Sequence, residues 1–190
     1  MKRFQVGQQL QQLHWTDING NAVNIPDVAH FVHLQFRRFS GCPICNIHMG
    51  QLKARADELR SNNIKEVIVF YSEDKKIQQN LGDIPFTLIA DPQKKLYDYF
   101  GVERSLKSVM DPRAWPAAMG GLLKNIRHAL GMLPRGDESM FGLPAEFLLD
   151  LDGNIIACKY GEHAYDQWTV DELLNHLHTQ VLSSARDSIA

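Results

Sequence analysis

Cysteine is scarce in this chain. Its 190 residues hold three, too few for the disulfide framework that stabilises small secreted domains. An excess of one charge is also missing: the formal net charge is -2, without the basic surplus of a nucleic-acid-binding domain. No apolar run nears the ~20 residues that cross a bilayer. The opening MKRFQVGQQLQQLHW has a Lys-Arg pair but lacks the apolar stretch of a secretory signal. These absences point to a single globular domain over residues 1–190, cytoplasmic, with no nucleic acid or membrane partner. In such a compartment a close cysteine pair is read as catalytic or metal-binding before it is read as a structural bridge. One absence is regional. From Pro112 to Gly136 there is no Asp or Glu, while Arg113, Lys124, Arg127, His128 and Arg135 supply positive charge.

What is present alternates between two periodicities. HWTDINGNAVNI predicts an N-terminal hairpin turning at Asn19-Gly20. In FVHLQF, Val32, Leu34 and Phe36 alternate with His33 and Gln35, and its aromatic and β-branched content marks a buried strand. A helix follows from Pro43, with Ile44, Ile47, Leu52, Ala56 and Leu59 along one face. KEVIVFYS and FTLIADP read as further strands, EDKKIQQNLGD and KKLYDYFGV as short helices, and AEFLLDLDGNIIACKY as a hairpin turning at Asp152-Gly153. The last element is an amphipathic helix capped by Thr169, with Val170, Leu173, Leu174, Leu177 and Val181 as its stripe. The sum is an α/β domain with a mixed central sheet flanked by helices. The acid-free middle, about 103–141, reads as a helical insertion, with Leu122, Leu123, Ile126 and Leu130 at helical spacing. It packs on the sheet, forms a homodimer surface or covers the site, with a helix lying on a membrane surface as the lesser alternative.

The stretch RRFSGCPICNIHM carries the chemistry. A reactive cysteine must be a thiolate, and an unperturbed thiol with a pKa of about 8.5 mostly is not. Cys42 falls at a predicted helix N-terminus, where orphan N–H groups favour an anion. Arg37 and Arg38 lie just upstream. Cys45, one turn on, can hydrogen-bond to Cys42 and then form a disulfide with it. In a CxxC the first sulfur is the more exposed, which makes Cys42 the attacking and Cys45 the resolving cysteine. A rival reading takes Cys42, Cys45 and His48 as the start of a zinc site. No second CxxC or paired-histidine knuckle supplies the missing ligand, and His176 and His178 are two apart on a helix. His48 is otherwise a partly exposed histidine or a proton shuttle. Cys158, among apolar strand residues, reads as a buried structural thiol or a second resolving cysteine. LDLDGN lacks the spaced ligands of a calcium loop.

With these residues in view the chain resembles the alkyl hydroperoxide reductase/thiol-specific antioxidant family of the thioredoxin superfamily, in its peroxiredoxin-like, CxxC-containing subgroup. DINGNAV, strand–CPIC–helix, FTLIADP with YDYFGV, and LPAEFLLDLDGNII are similar to that family's successive blocks. The resemblance implies a thioredoxin-like fold and places Cys42 at the peroxidatic position. It sets Cys45 at the second thioredoxin cysteine and Pro144 at the cis-proline beside the redox pair. Peroxiredoxins carry Pro and Thr seven and three residues before the reactive cysteine, where this chain has Gln35 and Phe39; Ser40 is the nearest hydroxyl. The family's second arginine is replaced by Leu143 and Pro144, leaving Arg38 or Arg135 to act for it. Relative to thioredoxin, Gly41 stands for Trp and Phe36 for the buried Asp.

The resemblance implies an antioxidant oxidoreductase that needs no cofactor or metal. The Cys42 thiolate would reduce a peroxide, with a Cys42–Cys45 disulfide formed next and reduced by a dithiol protein such as a thioredoxin. The alternatives are a thioredoxin-like thiol–disulfide oxidoreductase acting on disulfide substrates, and a redox-sensing binding module.

Overall fold

The computed structural model describes residues 3–102 and 142–187. The expected insertion at 103–141, with its helical stripe and Arg135, lies outside the described residues.

An antiparallel hairpin opens the chain, β1 (Leu13–Thr16) against β2 (Ala22–Ile25). Its turn is held by the Asp17 carboxylate, which accepts the N–H groups of Asn19 (2.9 Å) and Asn21 (2.8 Å). Then come β3 (Phe31–Phe36), α1 (Pro43–Ala54), α2 (Ala56–Ser61), β4 (Ile64–Phe70), α3 (Asp74–Leu81), β5 (Thr87–Ala90) and α4 (Lys95–Phe100). After residue 141 the chain continues with β6 (Ala145–Leu149), β7 (Ile155–Tyr160) and a closing helix, α5 (Val170–Asp187). The single helix expected after Pro43 is broken at Arg55, whose φ of -117° leaves helical geometry.

Five strands form one mixed sheet in the order β5-β4-β3-β6-β7. β3, β4 and β5 run parallel, as strands joined by helical crossovers must, and β6 and β7 run antiparallel to their neighbours. β3 is central. Its register sets Phe36 opposite Val69 of β4 and Ala145 of β6, so the chain leaving β3 emerges beside the segment entering β6.

The two faces of β3 differ in chemistry. Val32, Leu34 and Phe36 point into an apolar cluster with Val67, Val69, Phe147 and the α4 residues Leu96, Tyr97 and Phe100. Phe36 and Phe147 pack on Phe100 at ring-centroid distances of 5.0 and 4.9 Å. Burial of each such ring contributes about 1.5–3 kcal/mol. The opposite face also has an apolar cover, drawn from α1, α2, α3 and α5 through Met49, Leu52, Leu59, Ile77, Leu173 and Leu177. Yet His33 and Gln35 of β3 and Arg37 just after it are presented to that face, and all three are buried.

α5 starts in a reciprocal cap. Thr169 Oγ1 accepts the Glu172 N–H (3.2 Å), and the Glu172 carboxylate accepts the Thr169 N–H (2.7 Å). Val170, Leu173, Leu174 and Leu177 are buried as the stripe predicts, but Val181 is exposed. It lies in the part of α5 beyond the apolar cluster, whose last helical member is Leu177.

Candidate active site

The CxxC stands where β3 ends and α1 begins. The connection is tied at several points. Arg37 N–H donates to Val69 O (2.9 Å), continuing the sheet ladder one residue past β3. The Tyr97 hydroxyl lies 2.5 Å from Arg37 O and 2.8 Å from Val69 O, bridging the ends of two strands. Ser40 N–H donates to Ser72 Oγ, and Asn80 Nδ2 donates to Ser40 Oγ, both at 2.9 Å. Cys42 N–H donates to Phe39 O (3.1 Å). Cys42 is then the N-cap of α1: its backbone is extended (φ -66°, ψ 115°), and its sulfur accepts the Cys45 N–H at 3.3 Å.

A second donor reaches the same sulfur. Arg38 Nη2 lies 2.8 Å from Cys42 Sγ. Both sulfurs are closed off from solvent, Cys42 at 0% and Cys45 at 1% exposure, and no disulfide joins them. The expectation that Cys42 is the more exposed is therefore corrected: the guanidinium and the helix start enclose it as fully as its partner. Cys45 is drawn down to about 5, first by its hydrogen bond with the Cys42 thiol and then, against burial, by the charges of Arg38 and Arg37. Cys42 is pushed well up, chiefly by burial and next by sharing with Cys45. The pair thus carries one negative charge near neutral pH, with one proton held between two sulfurs. Sequence reasoning assigns that charge to Cys42 alone.

Beneath α1 runs the buried polar face of β3. His33 Nδ1 lies 2.9 Å from both Glu66 carboxylate oxygens. Gln35 donates to Glu66 and accepts from Arg37. Arg37 Nη2 also donates to His48 Nδ1 (2.8 Å) and to Glu146 Oε1 (3.4 Å). The other Glu146 oxygen accepts the Trp168 N–H at 2.5 Å, and burial raises the acid's pKa while Arg37 opposes the rise. His48 Nε2 donates to Trp168 O at 2.7 Å, so Nδ1 is its acceptor and the ring is neutral. Burial, then the charge of Arg37, lowers its pKa to about 2.

This geometry corrects the expectations for His48. It is buried, with 4% exposure, because α1 turns it toward the sheet. It carries no proton that moves near neutrality, and both its nitrogens are engaged away from the sulfurs. The C-x-x-C-x-x-H zinc reading loses its third ligand with it. Among the described residues no group of three or more His, Cys, Asp or Glu side chains is placed to hold a metal.

Pro144 is buried directly before β6, and the β3–β6 register carries it alongside Arg37. The expected cis bond at Leu143–Pro144 is not found; among the described residues the cis bond is Ile25–Pro26. Pro144 instead continues the extended β6–β7 ladder, its carbonyl accepting the Gly161 N–H at 2.8 Å, and trans is the favoured form of such a bond. Its ring lies against Gly161, where an added Cβ would sit 2.7 Å from Pro144 Cγ and 2.8 Å from Asp166 O. Neither contact is tolerable without backbone movement. Gly161→Ala is expected to cost about 1–3 kcal/mol, read as a lower urea midpoint with an unchanged m-value.

Cys158 lies further along the hairpin, opposite Phe147. It is half-buried rather than buried, its thiol facing Phe4 O at 3.8 Å, because β7 is an edge strand. Burial pushes its pKa up, which disfavours a nucleophilic role.

The sequence singled out Cys42, Cys45, Arg38 and Pro144. The structure joins the first three by contacts and brings Pro144 to the same end of the sheet. Glu66, Glu146 and Tyr97 were missed. A signal for the carboxylates existed: each is the lone acid of a largely apolar strand, and the register pairs Glu66 with His33 and Glu146 with Gln35.

A mixed five-stranded sheet whose central strand leads into a CxxC at a helix N-terminus defines the thioredoxin-like class of dithiol proteins. A family model described as AhpC/TSA antioxidant enzyme matches residues 51–163. The match covers more than half of the chain, which belongs to that family and is a peroxiredoxin-like, thiol-dependent oxidoreductase; it begins after Cys45. No curated protein matches the chain in sequence. Among solved structures it is similar to peroxidoxin BcpB from Mycobacterium tuberculosis (17% identity, 92% of this chain and 96% of that one, TM-score 0.65). Enterococcus faecalis AhpC is also similar (15%, 95% and 94%, 0.65). So is a putative thiol:disulfide interchange protein DsbE from Chlorobium tepidum (16%, 91% and 98%, 0.59). At these identities the likeness speaks for the fold. No helix among the described residues is long and apolar enough to cross a membrane.

Proposed function

We propose that the protein is a peroxidase that reduces peroxides through Cys42 and recycles through a Cys42–Cys45 disulfide. The reading is carried by the approach of Arg38 Nη2 to Cys42 Sγ at 2.8 Å, supported by the Cys45 N–H on the same atom. The Cys42 thiolate attacks the distal peroxide oxygen. The O–O bond breaks, Cys42 becomes a sulfenic acid, and the alkoxide or hydroxide leaving group takes up a proton. Cys45 then displaces water from the sulfenic acid to give the disulfide. A dithiol protein such as a thioredoxin restores both thiols by exchange and is itself oxidised. Pro144 would shape the floor beside the pair. The chain is taken as one domain, acting in the cytoplasm, with 103–141 inserted between α4 and β6.

A second reading, thiol–disulfide exchange by Cys42 on disulfide substrates, is favoured by the residues just before the pair. Phe39 is buried and has no hydroxyl, and Ser40 Oγ is held by Asn80, so neither offers the hydroxyl with which peroxiredoxins orient a peroxide. The two readings separate in stopped-flow oxidation of the reduced protein by hydrogen peroxide and by a mixed disulfide. The peroxidase predicts a peroxide rate constant far above that of a free thiolate. A rate no faster than a free thiolate, with fast reaction of the disulfide, would overturn it in favour of exchange.

A further inference from the structure

Arg37 is the largest fully buried side chain among the described residues, at 0% exposure, and the proposed peroxidase cycle gives it no step. A buried guanidinium is costly unless its charge is balanced, and the balance here is partial. Gln35 and the neutral His48 are uncharged acceptors. Among the described residues Glu146 is the one carboxylate in direct reach, at 3.4 Å, and Glu66 is reached through Gln35. Nε and Nη1 of Arg37 have no hydrogen-bond partner among the described residues. The Arg37 guanidinium lies beneath the pair, since His48, which it contacts, shares a helix face with Cys45 three residues earlier. Between buried groups the field of such a charge is weakly screened.

We propose that Arg37 and Glu146 are positioning residues that set, from the core side, how strongly the reduced Cys42–Cys45 pair holds its negative charge. Arg37 favours the thiolate and Glu146 tempers it. The ionisable groups around this layer are His33 of β3, Arg37 just after it, Glu66 of β4, Glu146 of β6 and His48 of α1. Arg38, Tyr71 and Tyr97 face the pair from the other side. The pull of Arg37 on Cys45 has the same sign as that of Arg38. The consequence is also redox: a couple whose reduced form is stabilised is the more oxidising.

The proposal rests on Cys42 and Cys45 acting as a redox pair, but its test needs no particular substrate. Thiolate is followed by absorbance against pH. Separately, the protein is equilibrated with reduced and oxidised glutathione, where two glutathione thiols reduce the protein disulfide and become one glutathione disulfide. Arg37→Gln is expected to raise the first pKa of the pair and shift the equilibrium about tenfold toward the protein disulfide, about 30 mV more reducing. Arg37→Lys should return both readouts most of the way to wild type, and Glu146→Gln should move them the opposite way. A structural role would move the Arg37 and Glu146 variants alike. Shifts of the same sign, or no shift in either, would overturn the proposal. If Arg37→Gln does not fold, the sign of the Glu146→Gln shift alone gives the answer. A pair that forms no disulfide at any glutathione ratio would refute the redox cycle, while the thiolate titration would still test Arg37 and Glu146.

Discussion

Cys42→Ser is expected to abolish turnover with peroxide and with disulfide substrates alike, by on the order of a thousandfold or more. The loss is not one of folding, since Ser is a strong N-cap and its hydroxyl can accept the Cys45 N–H that Cys42 Sγ accepts at 3.3 Å. Circular dichroism and the urea midpoint should therefore stay near wild type while steady-state turnover vanishes. Cys45→Ser should behave differently. One equivalent of peroxide is consumed in a burst, and Cys42 stops at a sulfenic acid that gains one oxygen in mass and is trapped by a carbon nucleophile. Turnover surviving in Cys42→Ser would mean that another sulfur does the work, and Cys158 would be the one to examine.

Arg38→Met carries the second large effect. It removes a positive charge 2.8 Å from Cys42 Sγ and keeps most of the apolar volume of a buried side chain. Losing a cation disfavours the charged form, so the first pKa of the pair must rise, by about 1–3 on general grounds. From a starting value of about 5, a rise of about two leaves roughly a tenth of the pair ionised at pH 6 instead of nearly all. Alkylation by iodoacetamide at pH 6 should slow by about tenfold, and its pH profile should move to higher pH without changing its plateau. Arg38→Lys should move it less. An unshifted profile would show that Arg38 binds at the site without stabilising the thiolate.

The sequence makes the scaffold legible because alternation in FVHLQF and AEFLLD and helical spacing near the C-terminus are local signals. Strand–CPIC–helix places the sulfurs and Arg38 for the same reason, all lying within eight residues of one another. What stayed hidden depends on contacts between distant segments. His48 looks exposed in a helix of mixed polarity, and only packing against β3 and Trp168 shows that it is buried and neutral. Glu146 lies 109 positions from Arg37, beyond any local pattern. The acidity of the pair could not be divided between two cysteines without knowing that both are enclosed and share a proton. Pro144 is a lesson in the other direction. Pro144 directly precedes β6 at the end of the sheet where β3 leads into the pair, but the cis isomer that the resemblance implied for its bond is not found.

The sulfur that caps α1 is also the atom that the proposed cycle oxidises. As part of a thiolate pair it is a strong acceptor for the Cys45 N–H, and once bonded to oxygen or to Cys45 it is a poor one. Oxidation therefore withdraws a helix cap, worth about 1 kcal/mol for an ordinary one, in the same step that moves two electrons. On the proposed cycle the first turn of α1 is expected to be held in the reduced protein and loosened once the disulfide has formed. Amide hydrogen exchange at Cys45 would report the cycle without following the substrate.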